Sequence, residues 1–273
     1  MKLNFGEWSR LNDSFYEFRK YSQDIGFAWV SGADLSADDF RVIVDKYTVS
    51  YANDAIRRQS RFGESRIKDV DSGNDEMPLH SESSFSPNCP DAIWFYCVSA
   101  PSGENESTTA CDGKHVWESL SESVKSFLIN NQIEYSLCVD LNRQIPDRRW
   151  FVNRVGCGEA QISNGQIRFV SKRYAVNELF DSKGRPYLAF ANHLFALLDR
   201  ETQILSRKVD GKEIPEDLIA ECEQVCSENT IDITWCDGDF VYLNNKRFMH
   251  GRRAIALGST RDIVVSQSER AVF

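Results

Sequence analysis

Runs of apolar and β-branched residues predict that strands form much of the core of this protein. AIWFYCVSA, at residues 92–100, is aromatic and β-branched, which is the composition that strands favour. FAWV near the start predicts a short buried strand. Further predicted strands lie towards the carboxyl end and near the middle of the chain: IEYSLCVDL, IDITW, FVYLNN, KRFMH and RDIVVSQ.

Apolar residues at helical spacing predict helices before and between these strands. The first predicted helix begins near Asp13 and ends at Gly26, and the second, SADDFRVIVDKYTVSY, has Ser36 as its N-cap. A third, VWESLSESVKSFLINN, places Val116 and Leu120 on one face. Two more are predicted from YLAFANHLFALLDRETQIL and PEDLIAECEQVCSEN. Residues 52–78 are polar and charged, and we interpret them as a loop that acts as a lid.

This order of elements predicts a mainly β protein with α decoration. Many short strands with helices before and between them favour an antiparallel core, and a double-stranded β-helix, or jelly roll, flanked by helices fits the pattern. No internal repeat or low-complexity linker divides the 273 residues. We therefore expect a single domain, residues 1–273.

Composition and charge exclude several classes of partner. The net charge of −9 argues against nucleic acid or an anionic membrane as the main partner, which favours a small-molecule substrate. The chain has no apolar run long enough to span a membrane and no signal-peptide hydrophobic region at its start. Its eight cysteines include no CxxC, so we expect reduced thiols and a cytoplasmic location. The sequence does not determine the oligomeric state.

His80 and Glu82, in the stretch MPLHSESSFSP, are the first candidate metal ligands. In an extended strand, residues i and i+2 point to the same face, so an imidazole and a carboxylate would lie side by side. Two solvated polar residues on a loop are the alternative. His250, at the end of a predicted strand in DFVYLNNKRFMHGRRA, would complete a set of two histidines and one carboxylate. That set binds one face of a metal and leaves other positions open, as in non-haem Fe(II) oxygenases.

The segments around these residues resemble the taurine dioxygenase-like (clavaminate synthase-like) family of Fe(II)/2-oxoglutarate-dependent oxygenases. Five segments match in order, over roughly residues 20 to 270: GFAWVSG, LHSESSFSPNCPDAIWFYC, GENESTTACDG, WCDGDFVYLNNKRFMHGRRA and STRDIVV. The resemblance implies that His80, Glu82 and His250 bind Fe(II) and are the catalytic centre. It also implies that 2-oxoglutarate and dioxygen are cosubstrates.

Arg261 is the residue that this resemblance assigns to 2-oxoglutarate. It follows His250 by eleven residues, which allows a turn and a return strand. Arginine offers a bidentate fork that stays charged when buried, which suits the far carboxylate of 2-oxoglutarate. Thr108 is expected to donate a hydroxyl to the same carboxylate, and Thr109 is its rival because both follow Ser107.

The expected reaction is oxidation of a small metabolite, coupled to conversion of 2-oxoglutarate to succinate and carbon dioxide. Hydroxylation is the default outcome, with desaturation, cyclisation or epimerisation as possible alternatives. Glutamate replaces the commoner aspartate of the family's motif, which tilts the expected substrate towards amino-acid-like or natural-product-like compounds. The same three ligands suit a zinc-dependent hydrolase, which is the main rival interpretation. A metal-free jelly-roll binding module is the third.

Overall fold

The computed structural model describes residues 2–4, 11–52, 58–70, 73–84, 89–103, 105–140, 160–190 and 203–273. Its helices are α1 (Leu11–Asp24), α2 (Ala37–Tyr47), α3 (Gly113–Ser119), α4 (Glu122–Asn130) and α5 (Glu216–Glu228). Its strands, in chain order, are β1 (Lys2–Asn4), β2 (Phe27–Ser31), β3 (Thr48–Tyr51), β4 (Ser60–Arg61), β5 (Glu64–Asp69), β6 (Met77–His80), β7 (Ala92–Ser99), β8 (Thr108–Asp112), β9 (Ile133–Asp140), β10 (Ala160–Ser163), β11 (Gln166–Arg173), β12 (Val176–Phe180), β13 (Pro186–Phe190), β14 (Gln203–Val209), β15 (Lys212–Glu213), β16 (Thr230–Ile233), β17 (Phe240–Asn244), β18 (Phe248–Arg252) and β19 (Asp262–Ala271).

Two sheets, almost entirely antiparallel, position the candidate site. The larger has eight strands in the order β1-β2-β17-β7-β19-β5-β4, with β3 also paired to β19. The smaller has four strands in the order β16-β8-β18-β6. A five-stranded sheet, β10-β11-β9-β14-β15, and the hairpin β12-β13 make up the rest of the described sheet structure. Apart from the pairs β1-β2 and β4-β5, neighbours in both main sheets are not consecutive in sequence, as a jelly roll requires.

Strand β7 shows why the chain forms two layers around its larger sheet. Trp94 and Tyr96 point to one side and pack in the cluster that contains helix α2, whereas Ile93 and Phe95 point to the other side. There they share a cluster with Phe248 of the smaller sheet. Because successive strand residues alternate, a continuously apolar strand must be buried on both faces. Each fully buried side chain of this size stabilises the fold by about 1.5–3 kcal/mol.

Helices cover the outer faces of both main sheets. Helix α2 packs on the larger sheet, and α3, α4 and α5 pack on the smaller one, where Cys111 and Met249 belong to the same buried cluster. Cys222 and Cys226 lie on the buried face of α5, as their spacing predicts. The expected fold class, a jelly roll flanked by helices, is confirmed.

Two predicted helices are wrong in part, because pairing with other strands overrides local helical spacing. The second helix ends at Tyr47, and the next residues, TVSY, form β3, which pairs with β19. Tyr187 to Phe190 lie in β13, paired with β12, and Gln203 to Leu205 lie in β14. Residues 191–202 of that predicted helix lie outside the described ranges. For β-branched and aromatic residues, packing against a partner strand determines whether a strand forms in place of a helix.

The predicted helix over VWESLSESVKSFLINN is in fact two helices. Helix α3 ends at Ser119, and Leu120 is extended, so the chain changes direction there. Ser121 then caps α4, its hydroxyl accepting a hydrogen bond from the Val124 amide. Serine favours an N-cap over a helix interior because its side chain competes for backbone hydrogen bonds. Of the helices described here, none is long and apolar enough to cross a membrane.

The loop predicted over residues 52–78 contains strand structure, so that part of the interpretation is wrong. Residues 60–69 form the hairpin β4-β5, whose turn residues Phe62 and Gly63 both have positive φ. That geometry is typical of tight hairpin turns. The hairpin extends the edge of the larger sheet through β19, and Ile67 anchors it in the core. Its polar composition fits an edge position, where charged residues prevent further strand pairing.

Candidate active site

His80 and His250 meet across two neighbouring strands of the smaller sheet. His80 ends β6 and lies opposite His250 of β18 in the register of the pair. Both side chains are buried, and their ring centroids are 4.3 Å apart. Gly251 allows this close approach, because a Cβ there would lie 2.5 Å from the Met77 carbonyl oxygen. The two imidazoles, far apart in sequence, are therefore brought together by strand pairing.

The hydrogen bond of His80 indicates which ring nitrogen faces the site. Its Nδ1 lies 3.0 Å from the carbonyl oxygen of Pro78. A carbonyl oxygen only accepts, so Nδ1 carries the proton and donates, which leaves the lone pair on Nε2. Metal-binding histidines are typically oriented by such a hydrogen bond.

Glu82 completes the cluster, although it does not lie on a strand. Strand β6 ends at His80, and Glu82 occupies the turn that follows, so the expectation of a shared strand face is wrong. Its carboxylate still converges on the histidines: one ligand atom from each of His80, Glu82 and His250 lies within 4.8 Å of the others. Among the described residues, no other group of three or more histidine, cysteine or acidic side chains is this close.

Asn245 holds the backbone of Glu82 at this position. Its side-chain oxygen accepts a hydrogen bond from the Glu82 amide at 2.8 Å, and its Nδ2 donates to the Glu82 carbonyl at 3.0 Å. Nδ2 also lies 3.0 Å from the Pro90 carbonyl oxygen, and the side chain is fully buried. The amide therefore replaces the strand pairing that Glu82 lacks and holds the Glu82 backbone in place.

Replacing Asn245 with alanine is expected to lower both stability and metal affinity. The variant leaves the buried amide and carbonyl of Glu82 without these partners, at a cost of about 2–3 kcal/mol. Loss of such a supporting residue typically weakens metal binding by roughly 10- to 100-fold. Thermal unfolding and Mn(II) titration measure the two effects. Asn130→Ala is the matched control, because that side chain is exposed and bonds only to Ser126 of its own helix. Unchanged Mn(II) affinity in Asn245→Ala would contradict the bracing role.

Arg261 lies immediately before β19 and is a partly buried cation. Its Nε donates to the carbonyl of Glu106 at 3.3 Å, and its Nη2 donates to the hydroxyl of Thr108 at 3.0 Å. Burial, followed by the positive charge of Arg252, lowers the pKa of Arg261 to about 10. The guanidinium therefore stays charged at neutral pH while it has lost much of its hydration, which favours binding of an anion.

Thr108, and not Thr109, has its hydroxyl beside Arg261. The oxygen of Thr108 accepts hydrogen bonds from Arg261 and from Trp235 Nε1, the latter at 2.9 Å. A hydroxyl has two acceptor lone pairs, and both are occupied here, so its proton is available for donation to another group. Thr109 follows on the opposite face of β8, where its Oγ1 approaches Gly251. The structure thus separates the two rivals that the sequence left open.

One cavity joins the histidine–glutamate cluster to the Arg261–Thr108 pair. It opens to solvent, and the space between its walls, counted out to the open mouth, is about 430 Å³. The residues that line it are Arg58, Val70, Met77, His80, Glu82, Phe95, Thr108, His250, Gly251, Arg252, Arg261 and Val265. All five sequence-predicted site residues are among them.

The cavity also contains two arginines that the sequence analysis did not assign to the site. Arg252 lines the cavity, whereas its neighbour Arg253 pairs with Asp232 at the partly exposed edge. Arg58 was not expected there. It lies in an arginine-rich stretch, RRQSRFGESR, in which nothing in the sequence distinguishes it from its neighbours.

Comparison with known families identifies the relationship that this geometry suggests. Residues 2–267 match the family described as taurine catabolism dioxygenase TauD, TfdA family. The chain belongs to this family. None of the curated proteins is significantly similar to it in sequence. Family membership makes the chain a dioxygenase, and the TauD/TfdA relationship covers nearly the whole sequence, including every site residue above.

Solved structures with the TauD/TfdA architecture superpose on most of the chain. PvcB of Pseudomonas aeruginosa is 15% identical with a TM-score of 0.59, over 98% of this chain and 84% of that one. A taurine dioxygenase from Burkholderia xenovorans is 12% identical with a TM-score of 0.59, covering 94% and 80%. AAD-2, solved in complex with Mn(II) and N-oxalylglycine, is 13% identical with a TM-score of 0.60, covering 99% and 94%. At these identities the likeness concerns the fold.

Proposed function

We propose that the protein is an Fe(II)- and 2-oxoglutarate-dependent oxygenase. It hydroxylates, desaturates or cyclises a small amino-acid-like or natural-product-like metabolite, with one domain, residues 1–273, as the functional unit. The observation that carries this proposal is the single cavity shared by the His80–Glu82–His250 cluster and Arg261. A second structure of PvcB, described as an Fe, alpha-ketoglutarate dependent oxygenase from an isonitrile synthetic pathway, supports the choice of cosubstrate.

The donor set suits a divalent iron. Two imidazoles and one carboxylate, with ligand atoms within 4.8 Å of one another, can bind one face of a metal and leave positions for small molecules. The His80 tautomer, fixed by Pro78, presents a lone pair to the site. AAD-2, which shares the fold, was solved with Mn(II), a common substitute for Fe(II). His80, Glu82 and His250 would hold the metal.

Arg261 and Thr108 would hold the far carboxylate of 2-oxoglutarate. The guanidinium supplies charge and a bidentate fork, and the Thr108 hydroxyl supplies a third donor beside it. The backbone carbonyl of Glu106 and the indole of Trp235 fix the positions of these two side chains. The cation therefore needs no rearrangement when the anion binds, which reduces the entropic cost of binding.

The chain's own contribution to the reaction is positioning and exclusion of water. Iron with bound 2-oxoglutarate would supply the oxidant that removes a hydrogen atom from the substrate. Phe95, Val265, Val70 and Met77 give the cavity an apolar wall, which limits solvent at the reacting carbon. Asn245 holds the Glu82 backbone in register with the histidines. The part of residues 52–78 that lines the cavity remains our candidate lid.

A zinc-dependent hydrolase, the rival interpretation, has no supporting observation in this site. The three ligands would suit zinc as well. Arg261 and Thr108 would then have no ligand to bind in the cavity.

Free thiols at the described cysteines, among them Cys89 and Cys236, fit the cytoplasmic location that we also propose.

The proposal is tested by reconstituting the protein anaerobically with Fe(II) or Zn(II) and then supplying 2-oxoglutarate and oxygen. We expect succinate formation with Fe(II) only, stimulated by the true substrate in a panel of amino acids and amino-acid-derived metabolites. Mass analysis of the product distinguishes hydroxylation from desaturation and cyclisation. A protein that binds Zn(II) but not 2-oxoglutarate, and that hydrolyses an ester or amide, would contradict the proposal.

A further inference from the structure

Arg58 places a positive charge beside the candidate metal centre, where it contacts Glu82. Arg261 does not share this contact. The Nη2 atom of Arg58 lies 3.5 Å from Oε2 of Glu82, and only 13% of the Arg58 side chain is exposed. Charge-assisted hydrogen bonds of this kind are usually 2.7–2.9 Å long, so the contact is loose. Arg261 instead contacts Thr108 and the Glu106 backbone. The two guanidiniums therefore serve different parts of one cavity.

A metal bound at this centre would change the electrostatic environment of Arg58. A divalent cation held by Glu82 would offset the negative charge that now attracts Arg58, and it would add a positive charge nearby. Like charges in a partly buried site repel each other more strongly than they would in water. An anionic group placed against Arg58 offsets both effects.

The rest of the cavity describes the molecule that would carry that anion. Val70, Met77, Phe95 and Val265 are apolar residues that line the same cavity as the charged residues. A ligand with an apolar body would be buried against them, while a planar carboxylate matches the fork of a guanidinium.

We propose that Arg58 binds a carboxylate of the substrate, so that the enzyme acts on an anionic metabolite with an apolar body. This inference rests on the proposed function and adds a substrate-binding residue to it. Because Glu82 and the substrate carboxylate share Arg58, binding of metal and binding of substrate are coupled. Each ligand then increases the affinity for the other by the same factor.

The test uses the full-length protein loaded with Mn(II) and saturating 2-oxoglutarate without oxygen. The probes are N-acetylglycine, N-acetylvaline and N-acetylphenylalanine, each compared with its primary amide, which has nearly the same shape without the charge. Mn(II) is paramagnetic, so the relaxation of probe protons reports both affinity and proximity to the metal. Arg58→Gln removes the charge, and Arg66→Gln is the matched control, because Arg66 pairs with Asp45 and Glu64 outside the cavity.

We expect at least one acid to bind the wild type and the Arg66→Gln variant roughly tenfold or more tightly than its amide. Arg58→Gln should lose that preference while it still binds Mn(II) and 2-oxoglutarate. Equal binding of every acid and its amide, or an acid preference that survives in Arg58→Gln, would overturn the inference. An acid preference that appears only when the experiment is repeated without 2-oxoglutarate would assign the probe to Arg261 and would also overturn it. Failure of the wild type to bind Mn(II) or 2-oxoglutarate would instead contradict the proposed function.

Discussion

Replacing His80, Glu82 or His250 by alanine is expected to abolish 2-oxoglutarate turnover in each single variant. The three side chains converge within 4.8 Å, so each would supply one of three bonds to a single metal. Residues that act as a unit have strongly non-additive effects, and loss of any one removes most of the function. Mn(II) or Fe(II) affinity should fall in parallel, measured by titration under anaerobic conditions.

His115→Ala is the matched control for the metal-ligand variants, because His115 is an exposed histidine on α3, outside the cavity. It should retain wild-type turnover and metal affinity. Thermal unfolding shows whether each ligand variant is folded, since His80 and His250 are buried in the smaller sheet. A folded variant with near-normal turnover would remove that residue from the metal centre.

Arg261→Ala is expected to weaken 2-oxoglutarate binding by roughly two orders of magnitude or more. The variant removes the cation that we pair with a carboxylate in a largely buried site, and loss of one partner of such a pair typically costs about 3–5 kcal/mol. Metal affinity should stay close to wild type, because the guanidinium contacts Thr108 and Glu106 and none of the three ligands. Calorimetric titration of 2-oxoglutarate into the Mn(II)-loaded protein gives the dissociation constant.

Two other variants make the Arg261 result specific. Arg253→Ala removes an arginine of the same segment that is partly exposed and paired with Asp232, and it should leave 2-oxoglutarate affinity unchanged. Thr108→Ala should cost about 1.5–3 kcal/mol, as expected for one hydrogen bond to a charged group, and so should weaken binding less than Arg261→Ala. An unchanged 2-oxoglutarate requirement in Arg261→Ala would rule out the assignment.

The features of this protein that depend on local pattern could be predicted from its amino-acid sequence. The strand predicted over residues 92–100 is β7 in the structure, because a continuously apolar strand is stable when it is buried on both faces. Ser36 caps α2 with a full capping box, since that interaction involves residues three apart. The resemblance to a known family also pointed to the three proposed metal ligands and to Arg261, because the segments that carry the resemblance contain them.

The features that depend on contacts between distant segments could be seen only in the tertiary structure. Thr48–Tyr51 became a strand because β19 offered it a partner. Glu82 reaches the histidines from a turn, held by Asn245, which is 163 residues away in sequence. Thr108 lies on the face of β8 that points towards Arg261, and Thr109 lies on the other face. Arg58 lines the cavity, although no feature of the sequence distinguished it from its neighbours. Which charged residue of a polar segment is buried depends on strand register and side-chain packing, and both involve long-range contacts.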